Sequence, residues 1–192
     1  QLGPTSRHRW AYAASKMVDE FLALAYKDSY NLQTVPCRLF NTVGPGQTGQ
    51  YGMVIPRLVR QALRGQTITV YGDGTQTRCF CHVADTVRAL IGLAEHDDAP
   101  GRVYNIGATD ETDINTLATR IRELCSSSSE IAHIPYEQAY APGFEDMQRR
   151  QPDISRINQL LGWQPEHDLD CILNDVIAHE RQRLLHDDAA NA

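Results

Sequence analysis

The sequence predicts an α/β fold, on two observations. Segments whose apolar residues recur at helical spacing alternate with short apolar runs of strand length along most of the chain. Stretches rich in glycine and proline punctuate them, and no internal repeat is present. With 192 residues and 42% hydrophobic content, the chain suits a globular body of one or two domains.

Residues 11–28 read as a helix, because Ala14, Met17, Val18, Phe21, Leu22 and Ala25 recur at i, i+3, i+4 and i+7. Leu24 adds apolar surface on another face. Residues 31–40, with Thr34, Val35, Cys37, Leu39 and Phe40, read as a strand. The four glycines and one proline of residues 41–52 predict a ligand-contacting loop. Helical spacing returns over 53–63 and stops at Gly65. A strand over 67–71 runs into the turn Gly72-Asp73-Gly74, and a second strand covers 78–82. A helix over 83–94, a strand over 103–106 and a helix over 114–125 follow. After the serine loop 126–129 comes a strand over 131–135, then an irregular charged stretch over 139–152. Helices over 154–161 and 169–185 close the pattern, and 186–192 read as a frayed tail.

The formal net charge of −6 argues against general binding to nucleic acid or a membrane surface, since both are polyanions. A small phosphorylated ligand needs only a few well-placed arginines. No apolar run approaches the roughly 20 residues that span a bilayer. The polar start, Gln1 to Trp10, lacks the apolar centre of a signal peptide. Cys37, Cys79, Cys81, Cys125 and Cys171 are odd in number and lack CxxC spacing, so neither a disulfide framework nor a metal site is expected. Reduced thiols in a cytoplasmic protein are the expectation.

Tyr12-Ala-Ala-Ser-Lys16 places a phenol and an ammonium four residues apart, on one helix face. A phenol with an ordinary pKa of about 10 is a poor base at neutral pH. A neighbouring cation favours the phenolate, which can take a proton from a sugar hydroxyl as hydride leaves the carbon. Further on stand Arg38-Leu-Phe-Asn41-Thr-Val-Gly44-Pro45, then Val70-Tyr71-Gly72-Asp73-Gly74-Thr-Gln76-Thr-Arg78. His82-Val83-Ala84-Asp85, Tyr104-Asn105-Ile106-Gly107, Arg150-Gln-Pro152-Asp153 and Leu161-Gly162-Trp163-Gln-Pro165 complete the series.

In this order the motifs resemble the extended short-chain dehydrogenase/reductases that act on nucleotide sugars, over about residues 10–180. UDP-glucose 4-epimerases and UDP-glucuronate decarboxylases look closest. The resemblance implies a partial Rossmann, doubly wound body formed by 1–40 and 83–106. It implies a smaller α/β substrate-binding lobe formed by 41–82 and 107–185, with a UDP-sugar between the two. It makes Tyr12 the catalytic acid or base, and Lys16 the residue that tunes it and holds the nicotinamide ribose of NAD. Asn41 would bond the sugar or its diphosphate, and the backbone from Thr42 to Pro45 would approach the nicotinamide. Val54, Ile55 and the Val70-Tyr71 strand would border the nucleobase. Arg78 and Arg150 would grip the diphosphate, a task suited to the forked guanidinium. Arg78 could instead pair with a surface carboxylate, and Arg149 could take the place of Arg150. Asp85, His82 and Asp153 read as helix caps.

The family's glycine-rich pyrophosphate turn, G-x-x-G-x-x-G, does not occur in these residues, nor does the Ser or Thr expected upstream of Tyr12. With no initiator Met, the chain is expected to be a piece of a longer protein; a truncated, non-catalytic nucleotide-sugar binder is the alternative. The missing strands would leave apolar surface exposed. The resemblance implies a homodimer formed through the 11–28 helix, with each active site inside one subunit. A 4-epimerase ranks first, because decarboxylases of this family commonly carry Arg where Met53 stands here; 4,6-dehydration is the remaining option.

Overall fold

A computed structural model describes residues 3–7, 9–48, 53–140 and 146–190. The first helix, α1 (Arg9–Tyr30), is followed by β1 (Cys37–Leu39), β2 (Thr42–Val43), α2 (Val54–Leu63), β3 (Ile68–Tyr71), β4 (Thr77–Cys79) and β5 (Cys81–His82). Then come α3 (Val83–Glu95), β6 (Tyr104–Ile106), β7 (Glu111–Asp113), α4 (Ile114–Leu124), β8 (Ile131–Ile134) and α5 (Tyr136–Ala139). The chain closes with β9 (Arg149–Arg150), α6 (Ser155–Leu161) and α7 (Leu169–Ala190). The α/β class expected from the alternation is the class found.

Strands pair in small sets. β1 runs parallel to β6, β2 to β5, and β3 to β8. β4 lies between antiparallel β7 and parallel β9. The strand expected over 78–82 is divided at Phe80. Phe80 turns into one core while Cys81, the next residue, packs in another, so the flanking residues pair with different partners. The strand expected over 31–40 shortens to three residues, because Asn31 takes φ 54 and Thr34 bonds back to the Ala23 carbonyl at 2.7 Å. Residues 186–190, expected to be frayed, continue α7, which contains no glycine or proline to stop it; 191 and 192 lie outside the described residues.

The first core joins α2, β3, α4 and α7 through Ile55, Leu58, Ile68, Leu117, Ile121, Ile172 and Leu173, all fully buried. Each large aliphatic side chain buried there contributes about 1.5–3 kcal/mol. The second core joins α3, β6 and α6 through Leu93, Tyr104, Ile106, Ile157 and Trp163. Trp163 Nε1 donates to the Asp85 carbonyl at 3.1 Å and carries α6 onto α3.

Asp85, expected as a cap, instead ties α3 to the segment that leads into α7. Its carboxylate, 1% exposed, accepts the backbone N–H groups of Glu166 and His167 at 3.1 Å each, and Arg88 at 3.0 Å. Burial alone would raise this carboxyl; the His167 and Glu166 amides, Arg88 and the His167 ring together hold it below its ordinary range. His82 does cap α3, accepting Ala84 N–H at 3.1 Å.

Apolar surface is left open on α1 at Met17, Val18, Phe21 and Leu22, and on α3 at Val83, Val87, Leu90 and Ile91. Among the described residues no helix is long and apolar enough to cross a membrane.

Candidate active site

Helical spacing sets Tyr12 and Lys16 on one face of α1, with the Lys16 ammonium 6.0 Å from the Tyr12 ring centroid. The Tyr12 side chain is open, 72% exposed. Lys16 donates to Asp19 at 2.8 Å, and that hydrogen bond and charge hold its pKa above the ordinary value. At neutral pH Lys16 is thus a fixed cation beside the phenol, able to donate and not to accept.

The β4–β9 register places Arg78 directly opposite Arg150. Arg149 faces elsewhere, its guanidinium bound to Glu111 at 2.7–2.9 Å. Arg150, rather than Arg149, therefore stands beside Arg78. Its guanidinium lies 5.2 Å over the Phe40 ring. Burial lowers the Arg150 pKa and the neighbouring Arg78 charge lowers it further, while Tyr12 and Asp146 act in the opposite sense. Two cations, the exposed phenol and one carboxylate thus share a neighbourhood. Arg78 also pairs with a carboxylate, donating to Asp146 Oδ1 at 2.6 Å and to the Met147 carbonyl at 2.7 Å.

The other expected ligand residues are dispersed. Asn41, at φ 39, donates to the Cys79 carbonyl at 2.8 Å, so its amide braces β4. Thr42 Oγ1 meets Thr86 Oγ1 at 3.2 Å, which ties β2 to α3. Val54 is half-buried, but Ile55 packs wholly into the first core, leaving its side chain no surface for a nucleobase. Tyr71 is half-buried at the end of β3, 5.5 Å centroid to centroid from Tyr140 in an edge-to-face pair. Tyr140 in turn lies 6.0 Å from Tyr136, whose hydroxyl donates to Asp146 at 3.3 Å. The turn at Gly72 (φ 73) admits this approach, since a Cβ there would run into the Tyr136 ring.

Arg57 was not singled out from the sequence. Its guanidinium stacks 4.3 Å over Tyr71 and donates to the Thr69 carbonyl at 2.8 Å and to the Thr69 hydroxyl. In an amphipathic helix an arginine reads as part of the solvated face, so spacing gave no signal for it.

The sequence profile of the NAD dependent epimerase/dehydratase family matches residues 1–107. The chain belongs to that family. Among curated relatives of this epimerase/dehydratase chain, a UDP-N-acetyl-alpha-D-glucosaminuronate decarboxylase of Bacillus cytotoxicus is 40% identical over 94% of it and 56% of the relative. A UDP-glucuronic acid decarboxylase 1 of Xenopus tropicalis is 35% identical over 93% of it and 40% of the relative. Among solved structures, UDP-glucuronic acid 4-epimerase of Bacillus cereus, in complex with UDP-glucuronic acid and NAD, superposes with a TM-score of 0.80. It is 26% identical, over 90% of this chain and 52% of that one. The chain thus spans about half the length of the curated relatives it matches.

Proposed function

We propose that this chain supplies the substrate cradle and the catalytic tyrosine of an NAD-dependent enzyme whose substrate is a UDP-sugar bearing a C6 carboxylate. The observation that carries the reading is the pairing of Arg78 opposite Arg150, fixed by strand register, in a chain that also sets Tyr12 and Lys16 on one helix face. Arg78 and Arg150 hold the diphosphate. Tyr12 takes the C4 hydroxyl proton, with the Lys16 cation on the same helix face beside it. The open face around Tyr12 and Lys16 fits the nicotinamide end of NAD. When bound, NAD supplies the reversible hydride acceptance that C4 oxidation needs. A ketone at C4 is β to the C6 carboxylate, so the C5–C6 bond can break with loss of carbon dioxide while C5 takes up a proton.

Decarboxylation is favoured by the names of the 40% and 35% identical relatives. C4 epimerisation is the second reading, supported by Met53 at the position discussed above and by the Bacillus cereus enzyme's name. The full-length enzyme is a homodimer in the cytoplasm, with each site built within one subunit. The test is product analysis of the full-length protein on UDP-glucuronate and UDP-glucose. Carbon dioxide from the first supports the decarboxylase; a C4 epimer without gas supports the epimerase. UDP-sugar binding with no product, and no NADH absorbance on mixing with NAD, would overturn both in favour of a non-catalytic binder.

A further inference from the structure

Among the described residues, α1 puts no buried side chain into either core. Its half-buried positions include Ala13, Ala14 and Ala23, short side chains that interlock weakly with a neighbour. Apolar packing therefore does little to set how this helix is turned about its axis, and polar ties take over. The Thr34 hydroxyl donates to the Ala23 carbonyl at 2.7 Å, and a single bond to a backbone carbonyl acts as a pivot. The stiffer tie lies nearer to Tyr12. Arg38 Nε donates to Glu20 Oε1 at 2.6 Å, and Arg38 Nη2 to Glu20 Oε2 at 2.7 Å. Two parallel bonds between planar groups fix an angle as well as a distance. The hydrogen bonds from Arg38 also hold the Glu20 carboxyl below its ordinary range, against the opposing effect of burial.

Arg38 is itself anchored. It stands opposite Asn105 in the β1–β6 pair, and Cys37 before it packs against the second core. Strand alternation sends Arg38 to the other face, where it meets α1. Tyr12, Lys16 and Glu20 follow one another at four-residue steps, which makes them one ridge of the helix, ~12 Å long. The Arg38 side chain is 54% exposed, so the bridge adds little to global stability and its consequence is geometric.

We propose that Arg38 and Glu20 are positioning residues: their bridge sets the rotation of α1 about its axis, and with it the placement of Tyr12 and Lys16 at the reacting sugar carbon. This rests on the reading of Tyr12 given above. A shift of about 1 Å in a reacting group can cost ~10²-fold in rate. The arginine pair of β4 and β9 lies on other elements, so opening the bridge slows the chemistry and leaves substrate binding in place.

The test is steady-state kinetics of the full-length protein with NAD, on whichever of UDP-glucuronate and UDP-glucose the wild type turns over. Arg38→Met should lower kcat ~10- to 100-fold and leave KM within ~3-fold. Arg38→Lys keeps the charge and loses the fork, and should stay at least ~5-fold below the wild type. The double variant Glu20→Gln/Arg38→Met should be no slower than Arg38→Met alone, because either change opens the same bridge. Each variant should melt within ~4 °C of the wild type, as loss of a partly exposed ion pair requires. Wild-type kcat in Arg38→Met, or a rise in KM alone, would overturn the proposal. So would a kcat loss that only tracks the unfolded fraction, or losses that add in the double variant. Wild-type kcat in Arg38→Lys would overturn the geometric argument, since charge alone would then suffice. Any of these beside an inactive Tyr12→Phe sinks this inference alone. Undiminished turnover in Tyr12→Phe, or no wild-type turnover on either sugar, sinks the reading on which it rests.

Discussion

The phenol of Tyr12 is open and beside a fixed ammonium, so replacing it removes the proposed proton acceptor without disturbing packing. Tyr12→Phe in the full-length enzyme should cut kcat by about 10²- to 10⁴-fold, and UDP-sugar affinity should stay within experimental error. Steady-state kinetics with calorimetry reads both; normal turnover would remove Tyr12 from the chemistry. The two arginines should behave differently. Arg150→Ala deletes charged hydrogen bonds worth roughly 1.5–3 kcal/mol and should weaken UDP binding ~10- to 150-fold. Arg78→Ala should match that loss and also free the Asp146–Met147 segment that Arg78 holds, visible as faster backbone amide exchange there. Unchanged UDP affinity in both variants would show the clamp to be misplaced. At this scale the sequence was partly legible. The four-residue spacing of Tyr12 and Lys16 projects onto one helix face whatever the rest of the fold does. The choice between Arg149 and Arg150 depends on which side of β9 faces Arg78, and that is a property of pairing across the sheet. That the Ile55 side chain fills the core was hidden, because an apolar residue after a ligand loop looks the same whether it lines a pocket or fills a core.

The helices were legible because α2, α3 and α4 each bury one stripe, and the strands β2, β7 and β9 were not. Two or three residues are too few to show an alternating period, and these strands exist through their partners. Cross-element ties were equally hidden. Glu180 on α7, 2% exposed, accepts Arg60 of α2 through two bonds of 2.7 and 3.0 Å. Burial works to raise this carboxyl, but Arg60, aided by the charges of Arg183 and His179, holds it below its ordinary range. Glu180→Gln leaves the Arg60 charge without its partner and should cost about 3 kcal/mol. That corresponds to a drop of about 6–12 °C in Tm for a chain of this size. The pH dependence follows from the direction of the shift. A carboxyl whose folded pKa is depressed contributes its full stability above the unfolded value of about 4.3, and loses it as pH falls through the folded value. Chemical denaturation at pH 7 and in the acid range below about pH 4 should show a Glu180→Gln deficit that shrinks on acidification. A deficit constant with pH would mean that packing, not charge, is what the variant removes. Asp85 carries the same sign, since its folded pKa is also depressed.

Across the whole molecule, the open apolar stripes of α1 and α3 dominate behaviour in solution. Phe21 is 64% exposed and Ile91 53%, and α1 contributes no buried side chain to either core. Patches of this kind mark surfaces that meet another body of protein. The 192-residue chain by itself should therefore self-associate, and sedimentation velocity should show dimers or larger species whose share rises with concentration. A monomer with a sharp, reversible melt would contradict this. The pairing of β4 with β9 bears on a different matter, the timing of synthesis. Arg78 and Arg150 are 72 residues apart, so at about 5–20 residues per second the second cation is added roughly 4–14 s after the first. Until then β4 has only β7 beside it, and a nascent chain carries one half of the proposed diphosphate clamp. No nucleotide in the cell can stabilise the growing chain through this pair until Arg150 has been added. Ligand rescue through the pair begins only then.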